Sequence, residues 1–238
     1  MSKEVDFIKD RAVKTISVAR QLGGKWVWAE ADPDAMQLQL ETIIGNSTAT
    51  PPLVGQEEIA SQAEGTQDHA NGLWEQQLNE QHRRTVQALG MARTKYRNDP
   101  VSLAVLRGLT ANSHSHTATL AEALAWESAW ARLDTTWSPT TINTFAAFKV
   151  LRKQCAEDLQ TDASDTHAAW RTEVVKLNAM ANDLEELLEA WYADAQRMFG
   201  EGTPEGTLIR AAIPTTYTPP TPPVPPDPAP SASPTKTP

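Results

Sequence analysis

The sequence predicts an all-α fold made of tandem duplicated antiparallel helical bundles, followed by an extended Pro-rich C-terminal tail. Three observations support this prediction. Long stretches carry apolar residues at three- and four-residue spacing, and the longest one free of glycine and proline runs from residue 155 to 199. Similar landmarks recur about 100 residues apart. Eleven of the seventeen prolines lie in the last 25 residues, where they prevent helix formation.

The first predicted bundle comprises residues 1–112. Apolar spacing, cap residues and prolines place its four helices at residues 3–22, 33–44, 56–98 and 101–109. The third of these is either one long helix or two collinear ones, because Gly65, Gly72 and Gly90 each permit a break or a close helix contact.

The second predicted bundle comprises residues 113–213 and repeats this order. Its helices cover residues 118–134, 142–151 and 155–199, with a short apolar piece at 207–213. Ser138-Pro139 predicts a cap and a first-turn proline for the second of these helices. The residues of its first helix expected to point inward are Leu120, Leu124, Trp130 and Ala131.

The order of landmarks predicts an internal duplication. The matched landmarks, separated by 96 to 106 residues, are His69 and His167 with the tryptophans after them, Asp99-Pro100 and Thr203-Pro204, Leu106 and Ile209, and Pro33 and Pro139. The alternative is two unrelated helical segments that share common cap and stripe chemistry.

The tail, residues 214–238, favours the extended polyproline II conformation, and PxxP spacings recur from Pro219 onward. One interpretation is a solvated spacer. The other is a docking strap that lies in an aromatic groove of a partner or of a neighbouring copy. The tail residues predicted to make such a contact are Tyr217, Pro219, Pro222 and Pro225.

Composition excludes several functional classes. The net charge of −9 and a pI near 5.1 argue against a nucleic-acid partner, because phosphate binding needs a basic face. The single cysteine excludes an intramolecular disulfide framework and a multi-cysteine zinc site. The chain starts without a signal-peptide core and holds no long apolar run, so we expect no membrane span and synthesis in the cytoplasm. Export as part of an assembly stays open.

No motif of an enzyme, cofactor or metal site is present, so we predict a non-enzymatic chain without a cofactor. His114 and His116 form the only local histidine pair and lack the two further ligands that zinc requires. His69 and His167 are interpreted as side chains bonded across the bundle rather than as an acid–base pair. Cys155, at the predicted start of the long helix, is interpreted as a buried or half-buried small apolar residue.

Eight tryptophans are the most unusual feature of the composition. Most of them are expected to pack in the core or close the ends of the bundles. Trp126 and Trp130 are four residues apart and share one helix face. If that face points outward, the two rings form an apolar patch suited to a protein interface.

These observations predict a structural or adaptor protein that assembles through protein–protein contacts with copies of itself or with a larger complex. A tandem duplication provides two similar surfaces on one chain, which is a basis for repeating contacts. The alternative is a ligand-binding or enzymatic helical protein with a site between the two repeats, around His69, His167 and the tryptophans. A third interpretation is a secreted or surface-displayed accessory protein whose tail is a linker.

Overall fold

The structure is a computed structural model of the 238-residue chain, and it describes residues 3–30, 32–112 and 115–212. Helices hold 77% of it, and no strand occurs among the described residues, which confirms the all-α prediction. An isolated bridge pairs Asn46 with Leu53. The helices of the described residues are α1 (Lys3–Leu22), α2 (Pro33–Ile44), α3 (Gln56–Lys95), α4 (Pro100–Leu106), α5 (His116–Leu133), α6 (Phe145–Ala156), α7 (Asp158–Phe199) and α8 (Pro204–Ala211).

Polar side chains begin several of these helices by accepting hydrogen bonds from free backbone N–H groups of the first turn. These N-cap residues are Asp99, Ser115, Thr144 and Thr203, at the starts of α4, α5, α6 and α8. Pro100 and Pro204 occupy the first turns of the two short helices, where a backbone N–H would have no intrahelical partner.

The helix α3 is unbroken over 40 residues, so the predicted break is absent. The predicted close contact is also wrong, because a Cβ atom at Gly65, Gly72 or Gly90 would meet nothing within 4 Å. Each glycine therefore costs helix stability without allowing a neighbour to approach.

The predicted start of α6 is wrong as well. Thr144 caps this helix by accepting a hydrogen bond from the N–H of Ala147 at 3.1 Å, so α6 begins after Pro139 and after Ile142. Ile142 consequently lies outside the helix, with 62% of its surface exposed. A threonine with a free hydroxyl acceptor fixed the helix start here, while the upstream proline did not.

Residues 35–184 form one compact unit, here the second unit. Within it α3, α5 and α6 pack against one another, and α4 packs on α3 and α5. The inner face of α5 carries Trp126 and Trp130, whereas Leu124, which was expected to point inward, is 50% exposed. The buried residues of this core are Ala88, Leu89, Ala92, Leu106, Ala123, Trp126, Ala129, Trp130 and Phe148.

Residues 1–34 and 185–238 form the other compact unit, here the first unit, which the structure describes over residues 3–30, 32–34 and 185–212. In it α1 packs against α8. The guanidinium of Arg11 on α1 lies 3.5 Å from the carboxylates of both Glu185 and Glu189 on α7. The buried residues of the described part include Val5, Ile8, Ala12, Thr15, Ile16, Ala19, Leu22, Leu188, Trp191, Ala195 and Ile209.

The compact units divide the chain differently from the predicted repeats 1–112 and 113–213. The helix α7 contributes residues 158–184 to the second unit and residues 185–199 to the first. At 1.5 Å per residue, helices of 40 and 42 residues are roughly 60 Å long, which exceeds the size of one small core. The two parts of α7 therefore bury their apolar stripes in different cores.

Candidate protein-contact surface

The connector after α1 places two tryptophans beside the end of α7. The ring centroid of Trp26 lies 6.2 Å from that of Trp191 and 6.0 Å from that of Phe199, and the second contact is edge-to-face. Trp191 is buried, so Trp26 rests on the core of the first unit. Aromatic pairs in this arrangement gain about 0.5–1.5 kcal/mol beyond the burial of their surface.

Trp28 is held by polar contacts to the same helix. Its Nε1–H donates to Oδ2 of Asp194 at 3.0 Å, and Oδ1 of Asp194 accepts from Arg197 at 2.8 Å. An ion pair between Lys25 and Glu205 joins the connector to the first turn of α8. These contacts give the Trp28 ring a fixed orientation.

The connector and α7 together border an open surface groove of about 420 Å³. We call it the Trp26 groove. Two of its apolar side chains face solvent, since Val27 is 76% and Met198 is 58% exposed. Exposed apolar groups beside aromatic rings are typical of surfaces that bind another chain. The side chains that border it include Trp26, Val27, Trp28, Asp194, Arg197 and Met198.

A related aromatic contact in the second unit is covered by a cation. The ring of Trp137 lies 6.2 Å from that of Tyr96, again edge-to-face. The ammonium group of Lys95 lies 4.9 Å from the Trp137 centroid and 5.0 Å from the Tyr96 centroid. Its Nζ is also 3.4 Å from Asp134. The Lys95 ammonium group therefore covers the Tyr96 and Trp137 rings through cation–π attraction. No such contact is found for Trp26 and Phe199 among the described residues.

The predicted outward patch at Trp126 and Trp130 is corrected by the structure, because the two residues are 1% and 0% exposed. Their rings lie 5.3 Å apart, and Trp130 also packs against Phe145 and Phe148. Both rings therefore belong to the core. The prediction failed because a shared helix face does not show whether that face points inward or outward. The other predicted contact residues, Tyr217, Pro219, Pro222 and Pro225, lie outside the described residues.

Sequence reasoning missed the exposed apolar residues of the Trp26 groove. Val27 lies in a connector, where neither a period of 3.6 nor a period of 2 assigns a side chain to the core. Met198 continues the apolar stripe of α7, yet its side chain is 58% exposed. The available signal was the run of three consecutive apolar residues, Trp26, Val27 and Trp28. Adjacent side chains in an extended segment face opposite sides, so the core cannot bury all three from one side.

The contacts found for His116 and His167 within the described part of the chain are with an amide and with tryptophan rings. His69 and His167 are both exposed on their helices. Nδ1 of His167 lies 3.1 Å from Nε2 of Gln67, so α3 and α7 are bonded here through an amide. His116 packs edge-to-face on Trp74 with centroids 4.6 Å apart, and His114 lies outside the described residues.

Cys155 is fully buried in the last turn of α6, not at the start of the long helix as predicted. Burial raises the pKa of its thiol to about 11, so the group stays protonated at neutral pH. Its backbone carbonyl accepts a hydrogen bond from the indole of Trp74 at 3.0 Å. The residue acts as a small apolar side chain in the packing of Leu78 and Leu151.

Residues 3–30, 32–112 and 115–212 contain no group of three or more His, Cys, Asp or Glu side chains placed to hold a metal ion. Across the same residues, none of the helices combines the length and the apolar character needed to cross a membrane.

Comparisons with known proteins give no relative. No family model matches the chain, and neither the curated proteins nor the solved structures contain a significant match.

Proposed function

We propose that this chain is a non-enzymatic structural or adaptor protein, built by tandem duplication, that assembles through protein–protein contacts with copies of itself. The observation that carries the proposal is a packing arrangement that occurs twice, once in each compact unit. In each of them a first helix and its tryptophan connector pack with the end of a long helix and with the short helix that follows it.

The order and length of the helices support the duplication. The first four have 20, 12, 40 and 7 residues, and the next four have 18, 12, 42 and 8. Both long helices are followed by a cap residue and a first-turn proline, at Asp99-Pro100 and at Thr203-Pro204. Two unrelated segments have no reason to share this whole order.

The positions of buried residues support it further. Six of the seven buried residues of α3 have buried counterparts in α7 that lie 103 positions later: Ala60 and Ala163, Leu78 and Ala181, Gln81 and Leu184, Thr85 and Leu188, Ala88 and Trp191, and Ala92 and Ala195. The closing helices keep this separation, with Leu106 and Ile209 both buried. The same helix face is thus used in both copies.

The first helices of the two copies agree in the same way, with a separation of 111 positions. The pairs of buried residues in α1 and α5 are Ile8 and Thr119, Ala12 and Ala123, Thr15 and Trp126, Val18 and Ala129, and Ala19 and Trp130. Trp26 and Trp137 have this separation too, and each contacts an aromatic ring at the end of a long helix. The alignment of the two copies therefore rests on the buried positions and not on the histidines. At a separation of 103, His69 corresponds to Thr172 and not to His167.

The proposed duplication implies an exchange of helices between repeats. In the first unit, α1 of the first repeat packs with α8 of the second repeat, and its Arg11 pairs with Glu185 and Glu189 of α7. In the second unit, α5 of the second repeat packs with α3 and α4 of the first. Contacts that one chain makes by exchange can also be made between chains, as in domain swapping, and this is the physical basis for assembly of copies.

The test is the mass of the purified chain in solution. Light scattering over a wide range of protein concentration, with electron microscopy of the same samples, should show rings, filaments or closed oligomers. The chain lacking residues 214–238 serves as the comparison, because the tail residues Tyr217, Pro219, Pro222 and Pro225 remain proposed contact residues. A monomer at every concentration, with and without the tail, would contradict the proposal.

A further inference from the structure

The residues beside Trp26 in the first unit differ in polarity from those beside its counterpart, Trp137, in the second unit. In the second unit the ring of Trp137 is covered by Lys95. At the separation of 103 found for α3 and α7, the residue matching Lys95 is Met198, which is apolar and 58% exposed. At the separation of 111, the residue matching Val27 is Ser138. Lys95 and Ser138 of the second unit thus correspond to the exposed apolar side chains of Met198 and Val27 in the first unit.

The rings of the groove are held in place by their neighbours, and one of their two indole N–H groups has no acceptor within the described part of the chain. Trp26 is wedged against Trp191 and Phe199, and Trp28 is fixed by Asp194. The indole N–H of Trp26 donates to no acceptor within the described part of the chain. Fixed indoles with a free N–H are the features that bind polyproline II segments, because the rings pack on proline and the N–H meets a backbone carbonyl.

The chain carries such a segment next to this surface in the sequence. The described residues end at Ala212, one residue after α8, and α8 belongs to the same unit as the groove. From residue 219 to 226, six of eight residues are proline. With three residues per turn, prolines spaced as Pro219, Pro222 and Pro225 lie along one edge of a polyproline II helix.

The reach of the tail allows the contact within one chain. The ion pair between Lys25 and Glu205 places the start of α8 beside the connector, and the eight residues of α8 span roughly 12 Å. Residues 213–218 cover up to about 19 Å in polyproline II, at 3.1 Å per residue. This length is sufficient to return the chain to the Trp26 groove. A segment tethered so closely has an effective concentration in the millimolar range.

We propose that residues 219–226 of this chain bind in the Trp26 groove of the same chain as a polyproline II helix, with prolines packed on Trp26, Val27 and Met198. The prolines lose little conformational entropy on binding, because their φ angles are already fixed. The contact covers the apolar surface of the first unit. Pro219, Pro222 and Pro225 are also proposed contact residues of the assembly, so binding of the tail within its own chain competes with their use between chains.

The test is disulfide trapping in the full-length chain. The variant Met198→Cys/Pro222→Cys places one thiol in the groove and one in the tail. The matched control is Lys95→Cys/Pro222→Cys, which uses the corresponding position of the second unit. The native Cys155 does not interfere, because it is fully buried and protonated.

We expect the groove variant to form its disulfide about tenfold or more faster than the control under mild oxidation. The product should be a single chain on a non-reducing gel, with the cross-linked peptides confirmed by mass spectrometry. Adding Pro220→Ala and Pro223→Ala to the groove variant should slow the reaction toward the control rate, since the polyproline II conformation is then weakened.

Three results would overturn the proposal. Equal rates in the groove variant and in the control show that the tail has no preference for the groove. A disulfide that joins two chains shows that the groove takes the tail of another copy. An unchanged rate after the alanine substitutions shows that tethering alone, without recognition of the proline segment, brings the thiols together.

Discussion

Gln81 gives the sharpest test of the packing in the second unit. Its side chain is fully buried on α3, and neither Oε1 nor Nε2 has a hydrogen-bond partner. The matching position on α7, 103 residues later, is the equally buried Leu184. We therefore expect Gln81→Leu to stabilise the protein.

The magnitude follows from the cost of burying the amide. A buried polar group without partners costs about 1–3 kcal/mol, and leucine fills a similar volume without that cost. The expected gain is therefore about 1–3 kcal/mol. For a chain of this size each kcal/mol raises Tm by roughly 2–4 °C.

Urea unfolding followed by circular dichroism, together with thermal scans, would measure this change. Gln76→Leu on the exposed side of α3 is the control and should change stability by less than about 0.5 kcal/mol. The reasoning is refuted if Gln81→Leu lowers the free energy of unfolding while Gln76→Leu leaves it unchanged, because the amide would then contribute favourably where it lies.

Three further predictions concern packing and protonation. Trp130→Ala should cost about 3–5 kcal/mol in urea unfolding, because the ring is fully buried and packs on four other rings of its own cluster; a loss under 1 kcal/mol would contradict that packing. Burial raises the pKa of the Cys155 thiol to about 11, so this thiol should react with a disulfide reagent at pH 8 only after unfolding; rapid labelling of the native protein would refute this. The contribution of the buried thiol to stability should be complete below about pH 8.5 and lost as the pH rises through 11. Hydrogen bonds from Arg83 and Arg84 lower the pKa of Glu80 from 4.5 to about 2, so its stabilising effect is present above pH 4.5 and lost as the pH falls through 2. Glu80→Gln should accordingly cost about 0.5–1 kcal/mol at pH 7, with a difference from the parent that shrinks between pH 4.5 and pH 2; a difference independent of pH would exclude this pairing.

Much of the local structure could be predicted because it depends on neighbouring residues. The bounds of α1 and α2 follow from an apolar stripe, a glycine pair and a first-turn proline, and the structure places them as predicted. The start of α6 was misplaced because Ser138 was taken as its cap, whereas Thr144 caps the helix six residues later. Phe145 and Phe148, in the helix that begins there, pack on Trp130.

The candidate contact surface was harder to predict, because exposure depends on what a residue meets in the folded chain. Trp126 and Trp130 share a helix face, and the sequence is equally compatible with that face pointing inward or outward. Val27 and Met198 are apolar in the sequence and exposed in the structure. Their exposure is decided by where the end of α7 meets the connector, a contact between residues far apart in the chain.

The sequence alone determined that this protein is all-α and where most of its helices lie, since these features depend on hydrogen bonds and spacings within a few residues. The tertiary structure alone decided which ends of which helices share a core. A stripe at three- and four-residue spacing shows that a helix face is buried, but it does not specify the partner. For α7, a helix of roughly 60 Å, that choice places residues 158–184 in the core of the second unit and residues 185–199 in the core of the first.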